Sequence, residues 1–212
     1  GEMIANLLAT DEAFRKYDLN GDGKIQYAMF RAEVGNAEAD GRTKYSVEDA
    51  NKLLAENTAL TVANKTGDVL QRVGADQMAN WDSNEANAKM SALFQVNSEV
   101  PNIEMVICNN DDMALGVISA LNTKGYNNQG SKTSGIKYIP VYGVDALSTA
   151  LDAIRNGKME GTVKQDGDAM AEAIVKIAMN LKAGKSFLEG TDYKFETGVR
   201  KLRIPYAPVT EA

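Results

Sequence analysis

At 212 residues, 44% of them hydrophobic, the chain is long enough for one large domain or two small ones with packed cores. A formal net charge of −6, with no basic run to offset it, argues against nucleic acid and anionic membrane surfaces as partners. No apolar stretch approaches the ~20 residues of a membrane-spanning helix, the single cysteine excludes an intrachain disulfide, and the lack of histidine removes the commonest general base.

In residues 1–16, Met3, Ile4, Leu7 and Leu8 form a helical stripe that begins without a cap, so the expectation is a chain cut inside a longer pattern, with any export signal outside it. Next comes Asp18-Leu19-Asn20-Gly21-Asp22-Gly23-Lys24-Ile25-Gln26, which has the spacing of a calcium loop. Alternate positions put the oxygens of Asp18, Asn20 and Asp22 on one concave side, Gly23 permits the sharp turn, Lys24 offers its carbonyl and Gln26 its amide oxygen. An EF-hand places a bidentate glutamate at the twelfth position, on an exiting helix; here that position is Met29, and Ile25 to Arg31 reads as a strand. The remaining carboxylate must come from elsewhere, and the residues alone leave Glu33 and Glu38 as competitors. The competing reading of the whole loop is an Asx-rich turn with no metal.

Glu38 to Leu54 reads as a helix and Val69 to Val73 as a strand; Ser83 to Phe94 is a helix with Ala86, Met90, Leu93 and Phe94 on one face. Ile103 to Cys108 is a strand of the buried type, followed by a helix faced by Ala114, Val117, Ile118 and Leu121. A Gly-, Asn- and Ser-rich loop over 125–135 leads to a strand from Tyr138 to Val144 and a helix marked by Leu147, Ala150, Leu151 and Ile154. Such alternation predicts an α/β fold, a Rossmann-like parallel sheet flanked by helices, with ligands beyond the carboxyl ends of the strands. Asn109-Asn110-Asp111 and Asp145 stand at two such ends, where Asp111 and Asp145 serve either a ligand or as helix N-caps. No Gly-rich phosphate loop is present. Farther on, Met170, Ile174, Ile177, Ala178 and Leu181 stripe a long helix ending near Gly184, and Tyr193 to Glu196 with Val199 to Ile204 predict a short hairpin around Thr197-Gly198.

The calcium loop, Val34-Gly35 with Arg42 seven residues after Gly35, Trp81-Asp82, Ile103-Glu104 leading into Asn109-Asn110-Asp111, Tyr142 to Leu147 and Gly161-Thr162-Val163 together resemble the bacterial glucose/galactose-binding proteins. These are extracytoplasmic receptors of sugar ABC transporters, in which two lobes of the type I periplasmic-binding-protein fold close on a monosaccharide. The resemblance runs through nearly the whole chain, and the calcium loop is its most specific part. It implies one lobe of that fold: a C-terminal sugar-binding lobe over 1–164, a crossing over 165–203 to an N-terminal lobe without counterpart here, and a return over 204–212. It also implies structural Ca²⁺ held by Asp18, Asn20, Asp22, Lys24, Gln26 and Glu104, and sugar contacts from Asn36, Glu38, Arg42, Trp81, Asn110, Asp145 and Gln165. Asn36 stands where the family carries His, Glu38 where it carries Asp, and Gln165 where it carries Asn.

The implied function is capture without catalysis. The implied partners are glucose or galactose, the membrane subunits of an ABC transporter and a chemoreceptor, in the periplasm or on a lipid anchor at the cell surface. Carboxylates, amides and a guanidinium suit sugar hydroxyls, and Trp81 suits the C–H face of a ring. Against these stand a core role for Trp81 and a solvated i,i+4 pair for Glu38 and Arg42, worth ~0.2 to 0.5 kcal/mol. The alternative function is the sugar-effector domain of a transcription regulator. An enzyme would need a nucleophile–base pair, for which no motif is present. The helix over 168–181 and the strands after it, expected to lack their sheet, predict self-association.

Overall fold

The computed structural model describes residues 1–96, 103–134 and 137–211. Gly135, the last residue of the loop expected over 125–135, lies outside them. In chain order the elements are α1 (Glu2–Leu7), α2 (Asp11–Tyr17), β1 (Ile25–Arg31), α3 (Ala37–Glu56), β2 (Leu70–Arg72), β3 (Gln77–Met78), α4 (Ser83–Val96) and β4 (Met105–Cys108). They continue with α5 (Asp111–Thr123), α6 (Ser131–Ser134), β5 (Val141–Tyr142), α7 (Ser148–Arg155), β6 (Thr162–Lys164), α8 (Gly167–Lys182) and β7 (Ala207–Val209).

The central strand is β1, because its side chains are apolar on both faces and it can be covered twice. Ala28 and Phe30 point into one core with Val106, Cys108, Met90, Met113, Val117 and Leu121. Tyr27 and Met29 alternate into the other, with Met105, Ile107, Leu8, Phe14 and Leu54. On one side β1 pairs in parallel with β2, Ile25 opposite Leu70, and farther along with β3. On the other it pairs in parallel with β4, Tyr27 opposite Met105, and β4 pairs with β5. The order is β2-β1-β4-β5, and residues 160–163 run beside β5, with Gly143 N–H donating to the Gly161 carbonyl at 3.1 Å.

Several elements differ from expectation. The stripe in residues 1–16 is two short helices: the first ends at Leu7 with Leu8 as its C-cap, and Thr10 caps the second by accepting from Ala13 N–H at 3.2 Å. The loop over 125–135 contains the four-residue α6, and β5 keeps only two of the seven residues expected from Tyr138 to Val144. The hairpin over 193–204 is reduced to one antiparallel bridge between Phe195 and Leu202. Its exposed, charged flanks give a longer ladder nothing to bury.

The chain divides into two compact units, Gly1–Val163 with Pro208–Ala212, and Lys164–Ala207. β6 and β7 form a two-stranded sheet where the chain leaves the first unit and returns to it. In the second unit α8 buries Ala173 and Asn180, while Ile174, Val175, Met179 and Leu181 are exposed.

Candidate functional site

Between β1 and β4 the crossovers diverge: α3 carries the chain from β1 to β2 on one side, and α5 carries it from β4 to β5 on the other. Such a switch point opens a crevice at the carboxyl ends of the strands. Asn109, fully buried there, stitches the crevice floor. Its N–H donates to the Phe30 carbonyl at 3.0 Å, its Oδ1 accepts from Ala32 N–H at 3.1 Å, and its Nδ2 donates to Thr43 Oγ1 at 3.0 Å. Its carbonyl accepts from Arg42 Nη1 at 2.8 Å, which fastens the guanidinium above the floor.

Arg42 gathers the other candidates. With its side chain only 10% exposed, it faces Asp145 Oδ1 from Nη1 at 3.4 Å and Glu38 Oε2 from Nε at 3.8 Å. Its Cζ lies 5.5 Å from the centre of the Trp81 ring. The Trp81 carbonyl accepts from Asn110 Nδ2 at 3.3 Å, and Asn110 Oδ1 caps α5 through Met113 N–H at 3.0 Å. Asn36 caps α3, accepting from Glu38 and Ala39 N–H at 3.0 and 3.1 Å, so its oxygen is engaged and its amide nitrogen is turned to Glu33. Glu38, Arg42, Trp81, Asn110 and Asp145 therefore share one crevice, with Asn36 at the start of the helix that carries Arg42. Gln165 belongs to the second unit, where its carbonyl accepts from Gly167 N–H.

Neither Asp111 nor Asp145 is a helix cap: Asn110 caps α5, and α7 begins after Leu147 without a side-chain cap. Asp145 and Ala146 take positive φ, 120° and 56°, in a sharp reversal. Asp111 lies beneath it, fully buried, accepting from Leu147 N–H at 2.8 Å and from Thr162 Oγ1 at 2.6 Å. Thr162 Oγ1 in turn accepts from Ala146 N–H at 3.3 Å. Gly143 is required at the strand end, since a Cβ there would lie 2.2 Å from Asp111 Oδ1. Burial pushes the Asp111 carboxyl up to about 6. Burial also raises that of Asp145, against the pull of Arg42. The roles of Asn109, Asp111 and Thr162 are not legible in the sequence, because each binds backbone or another side chain that only the fold brings near.

At the other end of β1 and β4 lies the loop over 18–26. Asp18 folds it, its two oxygens accepting from Gly21 and Gly23 N–H at 2.8 and 2.9 Å. At Gly23, φ is +78° and a Cβ would meet Asn64 N at 2.8 Å, so the turn needs glycine. Glu104, 2% exposed, closes the loop: Oε1 accepts from Leu19 N–H at 2.6 Å and Oε2 from Gln26 N–H at 2.9 Å. The competing Glu33 and Glu38 are engaged elsewhere, with Asn36 and Arg42. Burial raises the Glu104 carboxyl, and nearby Asp18 adds to that.

Among the described residues no group of three or more His, Cys, Asp and Glu is arranged to hold a metal unaided, so a cation here would rely on amide and carbonyl oxygens as well. The donor chemistry fits one: Asp18, Asp22 and Glu104 form no ion pair among the described residues. The nearby Lys24 amine is turned away, donating to the Thr66 and Asp68 carbonyls at 2.9 and 2.7 Å. Asn20 Nδ2 and Gln26 Nε2 both donate to Asp22 Oδ2, at 3.2 and 2.8 Å, so a seated cation would take the place of those donors.

Residues 1–186 match the periplasmic binding protein domain. The chain is 36% identical over 209 residues to the D-galactose/methyl-galactoside binding periplasmic protein of Haemophilus influenzae, covering 99% of this chain and 54% of that one. An ABC transporter periplasmic solute binding protein from Actinobacillus succinogenes, solved with bound D-allose, superposes at a TM-score of 0.66 and 20% identity, over 99% of this chain and 58% of that one. A solute binding protein from Bacillus halodurans, solved with bound myo-inositol, superposes at 0.59 and 28% identity over the same shares. The chain spans about half the length of the curated relatives in the first two comparisons of sequence.

Proposed function

The chain belongs to the periplasmic binding protein domain family, and from that premise we propose that it forms one lobe of a sugar-capturing receptor for an ABC transporter, stabilised by calcium and without catalysis of its own. The sheet and its covering helices have the type I periplasmic-binding-protein fold. The observation that carries the proposal is the convergence of Arg42 on Asp145 and on the face of Trp81 at the switch-point crevice. A pyranose needs an apolar surface for its C–H face and, at its rim, charged groups that both donate to and accept from hydroxyls. Trp81 supplies the first and Arg42, Asp145, Asn110 and Glu38 the second. Glucose or galactose is the ligand this reading favours, and the galactoside-binding relative supports it.

Calcium would be held by Asp18, Asn20, Asp22, the Lys24 carbonyl, Gln26 and Glu104. When bound it would offset most of the charge of Asp18 and Asp22, just before β1, and of Glu104, just before β4, and so tie the two segments together. Its role is structural, because the loop lies at the opposite end of these strands from the crevice. The reading extends to an extracytoplasmic location, in the periplasm or on a lipid anchor, and to contacts with transporter membrane subunits and a chemoreceptor. Among the described residues, no helix is long and apolar enough to cross a membrane. A crossing to a second lobe over 165–203, a return over 204–212 and a sugar contact from Gln165 belong to the same reading.

Calorimetry with D-glucose, D-galactose, D-allose and myo-inositol tests the proposal. The expected result is weak, saturable binding of the two hexoses named first and less of the others, because one lobe encloses only part of a sugar. Equal heats for all four, or none, would contradict it.

A further inference from the structure

We infer that Asp111 is a positioning residue of the sugar crevice: it holds the reversal at 145–147 from below and thereby sets where the Asp145 carboxylate meets Arg42. The inference rests on reading the crevice as a sugar site. Asp111 has no exposed surface with which to touch a ligand. Instead, Oδ2 accepts from Leu147 N–H at 2.8 Å, and Oδ1 accepts from the Thr162 hydroxyl, whose oxygen accepts from Ala146 N–H. Those bonds fall on the two residues that follow Asp145. Asp145 and Ala146 occupy φ values of 120° and 56° that side-chain-bearing residues rarely adopt, so the reversal persists only if its surroundings enforce it. From above, Asp145 N–H donates to the Val163 carbonyl at 2.8 Å. Below, Gly143 leaves the space that Asp111 occupies.

The arrangement gives the crevice a dependence on pH. The groups facing Asp111 are the Thr162 hydroxyl, Leu147 N–H, the buried Cys108 thiol and the Asp145 carboxylate; Asp145 in turn faces Arg42, Asp112 and Glu38. Ionised, Asp111 accepts from both of its donors. Protonated, it loses acceptor capacity and its grip on the reversal loosens, so sugar affinity falls as pH drops through about 6. Asn has the shape and the single acceptor oxygen of the protonated acid, so it holds the reversal at every pH as wild type does below about 6.

The test follows the emission of Trp81, the one tryptophan of the chain, from about pH 4 to about pH 8, with and without D-galactose. The proteins are wild type, Asp111→Asn, Asp111→Ala and Thr162→Val. The expected wild-type profile has an inflection near 6 that Asp111→Asn abolishes, its galactose affinity staying at every pH at the lower value that wild type shows below the inflection. Asp111→Ala loses about tenfold or more in affinity, a loss of the order of one buried charge-assisted bond. Thr162→Val shifts in the same direction by less, and decides the matter if Asp111→Ala does not fold. A folded Asp111→Ala or Thr162→Val with wild-type affinity, or an inflection that survives in Asp111→Asn, would overturn the inference. If wild type takes up no galactose, the sugar reading fails, and the inflection alone then decides whether Asp111 governs the Asp145–Arg42–Trp81 cluster.

Discussion

Arg42 on α3 reaches Asp145 beyond β5, Nη1 to Oδ1 at 3.4 Å, and holds together the two walls of the crevice. Removing Arg42 takes from Asp145 the cation it faces, and removing Asp145 leaves Arg42 to the more distant Glu38 carboxylate and the Asn109 carbonyl. Arg42→Ala or Asp145→Ala should therefore weaken hexose binding by roughly 1.5 to 3 kcal/mol, about tenfold to a hundredfold. The double variant should lose less than the sum, since the two act through one contact. Additive losses in calorimetry would mean the residues do not cooperate.

Calcium should raise the melting temperature, because it binds the folded loop and not the unfolded chain. At a hundredfold excess over its dissociation constant such a ligand adds about 2.7 kcal/mol. Glu104→Gln removes the one proposed carboxylate ligand from outside the loop and should abolish most of the response. The check is a thermal melt in calcium and in EGTA; identical curves for wild type would rule out the site.

The sheet is legible in the sequence because its strands and helices differ in period, and β4 is apolar enough to be recognised as a buried strand. Two-residue β3 has no period to read, and its place is set by pairing with Phe30 and Arg31. In the site, Arg42 and Trp81 drew attention by residue type, whereas Asn109 acts only through contacts with Phe30, Ala32 and Thr43. The cap at Asn36 is legible as an Asn followed by acidic Glu38 and Asp40, although the resemblance points the same side chain at sugar. The positive φ of Asp145 and Ala146 leaves no trace in composition, because neither residue is a glycine.

Stability should fall as pH rises through the range in which folded and unfolded Asp111 differ. Its carboxyl ionises near 3.8 when unfolded and near 6 when folded, so the native state holds the extra proton between those values. The protonated group's advantage is complete below the lower value and lost above the higher, a change of about 3 kcal/mol. The raised carboxyls of Glu104 and Asp145 act in the same direction. Urea midpoints without calcium at about pH 4 and about pH 7 isolate the Asp111 share by comparison with Asp111→Asn, which should show the shallower decline. Equal declines would mean the carboxyl titrates normally.

The exposed face of α8 should bring two copies together. Ile174, Val175, Met179 and Leu181 are exposed along it, with Asp168 and Glu172 toward its start and Lys176 and Lys182 toward its end. Antiparallel pairing about a two-fold axis covers the apolar residues and sets acidic ends against basic ones. Sedimentation at tens of micromolar should give a dimer that Met179→Lys converts to monomer. A monomeric wild type would leave the face for another occupant.

The most direct test of the sugar reading is a ¹H–¹⁵N correlation spectrum of the labelled chain titrated with D-galactose, which registers even weak binding. The account predicts saturable shifts at the Trp81 indole N–H, the Asn110 amide and the backbone of Asp145 to Leu147, while the 18–26 loop stays still. Shifts confined to other surfaces, or none at tens of millimolar sugar, would contradict it.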